Sequence, residues 1–97
     1  DINIQAVQNQ LEFVAELEKL KTEIQKANTA QAIDDDIATN AKDRLTEAIY
    51  ETKRNPPEKK LLLERIGSAK HVLENTAKVA GIVTALAKII ELGDKIF

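Results

Sequence analysis

Residues that interrupt helices are almost absent from this chain. Its 97 residues include only three Gly, at positions 67, 81 and 93, and two Pro, which are adjacent at Pro56 and Pro57. Aromatic residues make up only 3% of the chain, and Ala, Leu, Ile, Glu and Lys are abundant. Gly and Pro are the residues that helix interiors tolerate least, so the sequence predicts an all-α fold.

The composition limits the kind of protein this can be. A chain of 97 residues with 43% apolar and 31% charged residues is typical of one small, water-soluble domain. The formal net charge of -2 gives no basic field for nucleic acid. The absence of Cys excludes disulfides, thiolate metal sites and thiol catalysis, and it favours a cytoplasmic location.

Neither end of the chain has the features of a membrane or secretory segment. No stretch approaches the roughly 20 apolar residues needed to span a bilayer, and no signal peptide opens the sequence. The chain contains no Met, even at position 1. We therefore expect residues 1–97 to be a single helical domain excised from a longer protein.

Two helices are predicted before the prolines. The first covers about residues 4–27 and the second begins between Thr29 and Asp36, since the acidic triplet Asp34–Asp36 suits a first helical turn. Apolar residues at three- and four-residue steps mark one face of each helix. In the first helix they are Val7, Leu11 and Val14, together with Phe13, Leu17, Leu20, Ile24 and Ala27. In the second they are Ile37, Ala41, Leu45, Ala48 and Thr52, joined by Ile33 and Ile49.

The sequence Asn55-Pro56-Pro57-Glu58 predicts the start of a third helix after a very tight turn. Asn55 matches an N-cap, Pro56 the first helical position and Glu58 the acidic third position. Such a short connection makes the second and third helices antiparallel neighbours. The predicted architecture is therefore an antiparallel helical hairpin packed on a long third helix.

The helical pattern of the third helix continues almost to the C-terminus and becomes more apolar beyond Thr76. An unbroken helix of about 38 residues would reach roughly 57 Å, against roughly 36 and 30 Å for the first two. The hairpin cannot cover it, and soluble monomers rarely leave a large apolar patch exposed. Either the helix bends or splits within Asn75–Gly81, most readily near Gly81, and folds its end back to give a four-helix bundle, or another chain buries the end of a continuous helix. We favour the second alternative.

This apolar end is the candidate functional site. Its predicted partner-binding residues lie at helical spacing and are Ile82, Val83, Leu86, Ile89, Ile90 and Phe97. They predict a non-catalytic protein–protein interaction or self-association module, whose partner is a second copy of the chain or another protein. Leu86→Asp or Ile90→Asp should then weaken assembly while much of the helicity is retained.

Two other functions remain open from the sequence. The chain could be a self-contained four-helix structural domain of a larger protein. It could also present an amphipathic helix to a membrane surface, although such helices usually have a strongly basic polar face, and here Lys88 and Lys95 are set against Glu91.

No residue pattern predicts an enzyme, a cofactor, a metal site or a small-molecule substrate. His71 is the single histidine, without a nucleophile or an orienting partner in any recognisable arrangement. Asp34–Asp36 are interpreted as helix-start acids, because three consecutive helical side chains diverge and cannot converge on one ion. The basic groups around Lys59, Lys60 and Arg65 are diluted by Glu58 and Glu64, so nucleic-acid binding is not predicted.

The segment 55–60, Asn-Pro-Pro-Glu-Lys-Lys, and the tail 80–90 give the chain a family resemblance. It resembles the helical accessory modules, similar to effector-associated domains, found at the ends of bacterial multidomain signalling, conflict-type effector or repeat proteins. The opening Asp1-Ile2-Asn3-Ile4 is similar to the end of the connectors that precede them. The resemblance covers nearly the full length and implies a non-catalytic domain for self-association or partner recruitment. It supplies no active-site residues.

Overall fold

The computed structural model describes residues 9–97, and that range is helical. It contains α1 (Gln10–Thr29), α2 (Asp35–Thr52), α3 (Lys59–Leu73) and α4 (Ala80–Ile96), with a 3-10 turn at Ala77–Val79 before α4. Within residues 9–97 there is no strand. The predicted all-α class is confirmed, with four helices in place of three.

The first two helices begin at side-chain caps. The Asn9 side chain accepts a hydrogen bond from the Glu12 backbone N–H at 2.9 Å, and Asp34 accepts one from the Ile37 N–H at 2.9 Å. Each cap pairs a donor that the helix leaves without a partner. The predicted start of α2 in the acidic triplet is confirmed. The predicted start of the first helix at Ile4, the apolar position Val7 and the connector-like residues 1–4 lie outside the described residues.

The third helix begins later than the Asn-Pro-Pro-Glu pattern predicts. Its first residue is Lys59, and Glu58 stands at the N-cap without a side-chain cap hydrogen bond. Because Pro57 follows it, Pro56 is disfavoured from adopting helical geometry. The predicted helix start at Pro56 is therefore wrong, and residues 53–58 instead fold back so that the Glu58 N–H reaches the Glu51 carbonyl at 3.4 Å.

The long third helix is divided, which overturns the favoured continuous form. The division falls at residues 74–76, at the start of the predicted stretch Asn75–Gly81, and Gly81 itself lies inside the first turn of α4. Thr76 has an extended backbone (φ -107°, ψ 100°), so the helical hydrogen bonds stop at Leu73 and resume beyond it. Ala77 and Ala80, which a continuous helix would place on its apolar stripe, are exposed. The reason is energetic, since the division lets the apolar face of α4 be buried by its own chain.

The helices contact one another in chain order, and α4 also packs on α1. Three contacts join the beginning of one helix to the end of its neighbour. Gln10 Nε2 donates to the Thr52 carbonyl at 2.5 Å, Lys59 Nζ lies 3.1 Å from Asp94 Oδ1, and the Phe13 and Phe97 rings are 5.1 Å apart. The pairs α1–α2, α3–α4 and α1–α4 are therefore antiparallel.

One continuous core lies between the four helices. All four supply fully buried side chains to it, and the largest apolar ones are Phe13, Leu17, Leu20, Ile24, Leu45, Leu62, Ile66, Leu73, Leu86 and Ile89. The predicted apolar stripes of α2 and α3 account for most of the rest. The stripe through Leu11 is wrong, because Leu11 is 81% exposed.

Candidate functional site: the C-terminal helix

The six predicted partner-binding residues of α4 fall into two groups of three. Leu86 and Ile89 are fully buried, and Ile82 is 6% exposed. These three belong to the apolar core of their own chain. The assumption that α1 and α2 could not shelter this part of the chain fails because α4 lies against α1 and α3 after the division at residues 74–76.

The other three predicted residues form a half-buried strip, which we call the α4 flank (Val83, Ile90 and Phe97). They are seven residues apart, so they lie along one side of the helix. Each packs against the core with part of its surface and presents the remainder to solvent. The Phe97 ring meets the buried Phe13 ring edge-on, with an interplanar angle of 82°. The flank is therefore held in place by the core, and its outer surface is available for contact.

Gly93 allows α4 to lie close to its neighbours. A Cβ atom at this position would be 2.9 Å from Leu63 Cδ2 and 2.9 Å from Phe13 Cζ. Both distances are shorter than carbon atoms accept, so a side chain here would force Leu63, Phe13 or α4 itself to shift. Gly93 lies within α4, which continues to Ile96.

The face of α4 opposite its buried side chains carries polar residues. Thr84, Lys88, Glu91 and Lys95 are exposed, as their three- and four-residue spacing predicts. The apolar face that a membrane-surface helix would insert is the face that packs in the core. Of the helices in residues 9–97, none is both long enough and apolar enough to cross a bilayer.

The histidine lies on the surface at the end of α3. His71 has a side chain that is 83% exposed, and its Nδ1 is 3.7 Å from Glu74 Oε2. Glu74 also accepts a hydrogen bond from Lys70 Nζ at 3.0 Å. That hydrogen bond, and then the charge of Lys70, hold the pKa of the Glu74 carboxyl below its ordinary value. This cluster is an exposed ion-pair network at the end of a helix.

The acidic residues at the start of α2 serve the helix end. Asp34 caps α2, and Asp35 accepts a hydrogen bond from Asn28 Nδ2 at 2.9 Å. Among residues 9–97, no group of three or more His, Cys, Asp or Glu side chains is arranged to hold a metal ion. The structure places the triplet where the helix-start interpretation put it.

The basic residues are distributed among separate ion pairs. Lys59 pairs with Asp94, and Arg65 Nε lies 3.7 Å from Glu47 Oε2. Arg54 donates to Glu51 at 3.0 Å, and this hydrogen bond, followed by the charge of Glu51, raises the pKa of the Arg54 guanidinium. Arg44 shares the Glu47 carboxylate with Arg65, since Arg44 Nη1 lies 3.3 Å from Glu47 Oε1.

Two large apolar side chains are exposed among residues 9–97. Leu11 is 81% exposed and Tyr50 is 67% exposed. Leu11 lies with Gln10, Val14 and Lys53 around a shallow depression between α1 and the end of α2. Position on the helix would have identified Leu11, since it lies well away from the line through Phe13, Leu17, Leu20 and Ile24.

Comparison of the chain with protein-family models, with curated proteins and with solved structures finds no match. The resemblance to bacterial accessory modules therefore stays a prediction from the sequence. The features of the structure that bear on function are the surface of α4 and the core behind it.

Proposed function

We propose that this chain is a self-contained four-helix bundle that serves as a non-catalytic protein–protein interaction domain. The observation that carries the proposal is the division of the α4 residues into a buried set and the half-buried α4 flank. The buried set makes the domain independent of a partner for its folding. The flank offers apolar side chains at one helical spacing, which is how helices present anchors to another protein.

Self-association through the α4 flank is the simplest form of this function. Two copies that pair along Val83, Ile90 and Phe97 would shield the apolar surface that remains exposed on α4. The area is small, and association also costs translational and rotational freedom. We therefore propose a weak homodimer or a weak contact with a partner protein, and not an obligate assembly.

The test is sedimentation of residues 1–97 across a dilution series from about 1 μM to about 1 mM, a span suited to weak association. The mass of one chain is 10.8 kDa, and we expect the parent to rise above it at high concentration. The double variant Val83→Glu/Ile90→Glu should remain at one chain with unchanged helix content, because both positions are only half-buried.

A matched control uses the polar face of the same helix. Thr84→Glu/Lys88→Glu adds similar side chains at exposed positions and should leave the parent's behaviour unchanged. A parent that stays at one chain throughout would contradict self-association. The fully buried Leu86 and Ile89 would then favour the second candidate, a four-helix structural domain without an interface on α4.

A further inference from the structure

The connection between α3 and α4, residues 74–79, leaves helical geometry at Thr76 and Val79. Glu74 (φ -54°, ψ -34°) and Ala80 (φ -55°, ψ -34°) already have helical backbones. Thr76 (φ -107°, ψ 100°) and Val79 (φ -115°, ψ 25°) depart from it. The segment contains no Gly or Pro, and Gln31 is the one non-glycine residue with positive φ in the described part of the chain. Each residue of 74–79 can therefore adopt a helical backbone without steric cost.

Within the connection, the buried side chain of Val79 and a few backbone hydrogen bonds hold the turn closed. The Thr76 N–H donates to the Leu73 carbonyl at 3.0 Å, and the Val79 N–H donates to the Thr76 carbonyl at 3.1 Å. No side chain caps the 3-10 turn or the start of α4. A continuous helix would replace these bonds with its own regular ones. The position of α4 is therefore set by its contacts with α1 and α3 more than by the connection.

We propose that α4 exchanges between two copies of this chain to form a domain-swapped dimer. In that dimer residues 59–96 of each copy form one continuous helix of about 57 Å. Each α4 packs on α1 and α3 of the other copy. The two long helices run antiparallel side by side, because α3 and α4 are already antiparallel through the Lys59–Asp94 ion pair.

The contacts of α4 identify a second copy of this chain as the partner in the exchange. Gly93 fits against Leu63 and Phe13 with no room for a methyl group, and the Phe97 ring fits edge-on against Phe13. Another α4 from an identical chain reproduces these contacts and the Lys59–Asp94 pair. An unrelated helix would not. Exchange of an identical element keeps the packing of α4 on α1 and α3, and the contacts it changes are those of the connection, including the buried Val79. It is therefore a low-cost route to a dimer.

A matched pair of connection variants tests the exchange. Asn75→Ala/Thr76→Ala favours a continuous helix, and Asn75→Gly/Thr76→Gly opposes it at the same two positions, because Ala is the best helix former and Gly one of the poorest. After refolding at high concentration, we expect the dimer association constant of the Ala variant to exceed that of the Gly variant by at least about tenfold. Equal association constants would overturn the proposal.

A second variant that opposes a continuous helix keeps the exchange testable if the Gly variant does not fold. Ala77 is exposed, begins the 3-10 turn and follows an extended residue, which is a position that accepts Pro. Ala77→Pro should preserve the folded single chain, since a proline inside a continuous helix is excluded. Dimer formation by Ala77→Pro at the level of the Ala variant would also overturn the proposal.

A further experiment shows whether each α4 in the dimer packs on the other copy. The chain has two Phe residues, Phe13 and Phe97. In a dimer of one ¹³C-labelled and one unlabelled chain, isotope-filtered NMR should detect a nuclear Overhauser effect between the Phe13 ring of one copy and the Phe97 ring of the other. Phe13 is fully buried, so a side-by-side dimer through the α4 flank cannot place the partner's ring against it. A dimer in which the Phe13–Phe97 contact occurs only within each copy would refute the exchange and leave the proposed function of the flank intact.

Discussion

At the residue scale, the two glycines Gly93 and Gly67 have opposite surroundings. A Cβ at Gly93 would meet Leu63 and Phe13 at 2.9 Å, whereas a Cβ at Gly67 meets nothing within 4 Å. Neither glycine has a positive φ, so both backbones suit any residue. The space around each position therefore decides the effect of a substitution.

We expect Gly93→Ala to lower the free energy of unfolding by about 1–2 kcal/mol, because overpacking of the buried contact outweighs the gain in helix propensity. Gly67→Ala should raise it by up to about 1 kcal/mol, because only the propensity gain remains. Urea unfolding followed by circular dichroism measures both. If Gly93→Ala proved as stable as Gly67→Ala, the close approach of α4 to α1 and α3 would be wrong.

The Glu74 carboxylate gives a residue-scale prediction about pH. Its pKa in the folded chain lies below the ordinary value because Lys70 Nζ donates a hydrogen bond to it. The ion pair therefore contributes stability above the ordinary Glu pKa of about 4.3, and this contribution is lost as the pH falls through the lowered folded-state value. The effect on stability is small, since the pair is exposed.

NMR titration of the Glu74 side-chain carbon tests this directly. In Lys70→Met the pKa of Glu74 should rise toward its ordinary value, since the hydrogen bond and the neighbouring charge are both removed. An unchanged Glu74 midpoint in the variant would contradict the Lys70 contact.

At the scale of elements, the sequence predicts the helices well and the connections poorly. Periodicity identifies the buried lines of α1, α2 and α3, because burial at three- and four-residue steps is a local property of a helix. The predicted start of α3 at Pro56 was wrong because the pattern was interpreted one residue at a time. It did not include the effect of Pro57 on the backbone of the residue before it. The division at residues 74–76 has only Asn75 and Thr76 as a local signal, and both residues also occur in helices.

The α4 flank could be predicted only in part for a related reason. Helical spacing placed Ile82, Leu86 and Ile89 on the same apolar arc as Val83, Ile90 and Phe97. Which part of that arc is covered depends on where α1 and α3 lie, and the sequence of α4 does not contain this information. Tertiary packing separates the three core residues from the three flank residues.

The burial of Leu86 in the core changes the expected effect of Leu86→Asp from weakened assembly to a loss of stability. A carboxylate at this fully buried position has no polar partner, so we expect a loss of more than about 4 kcal/mol and an unfolded or largely destabilised chain. Lys88→Asp, on the exposed face of the same helix, should change the unfolding free energy by less than about 1 kcal/mol. Urea unfolding of the two variants is the measurement. A folded Leu86→Asp chain with parental helix content would show that α4 does not lie in the core.

At the scale of the whole molecule, the four helices share one core. The radius of gyration is 12.4 Å, close to the value of about 12 Å expected for a compact domain of this length. The core receives fully buried residues from every helix, so no helix is an independent unit. Unfolding of the closed form should therefore be cooperative, with α4 and α1 losing structure in one transition.

The edge-on contact between Phe13 and Phe97 has a topological consequence. It places the first turn of α1 beside the last turn of α4, so these two helices are neighbours although they are the first and last along the chain. Their packing therefore does not require the helices to be joined in their present order. A circularly permuted chain, opened in the 53–58 loop and joined through residues 1–8 and a short linker, would keep the same neighbours for every helix.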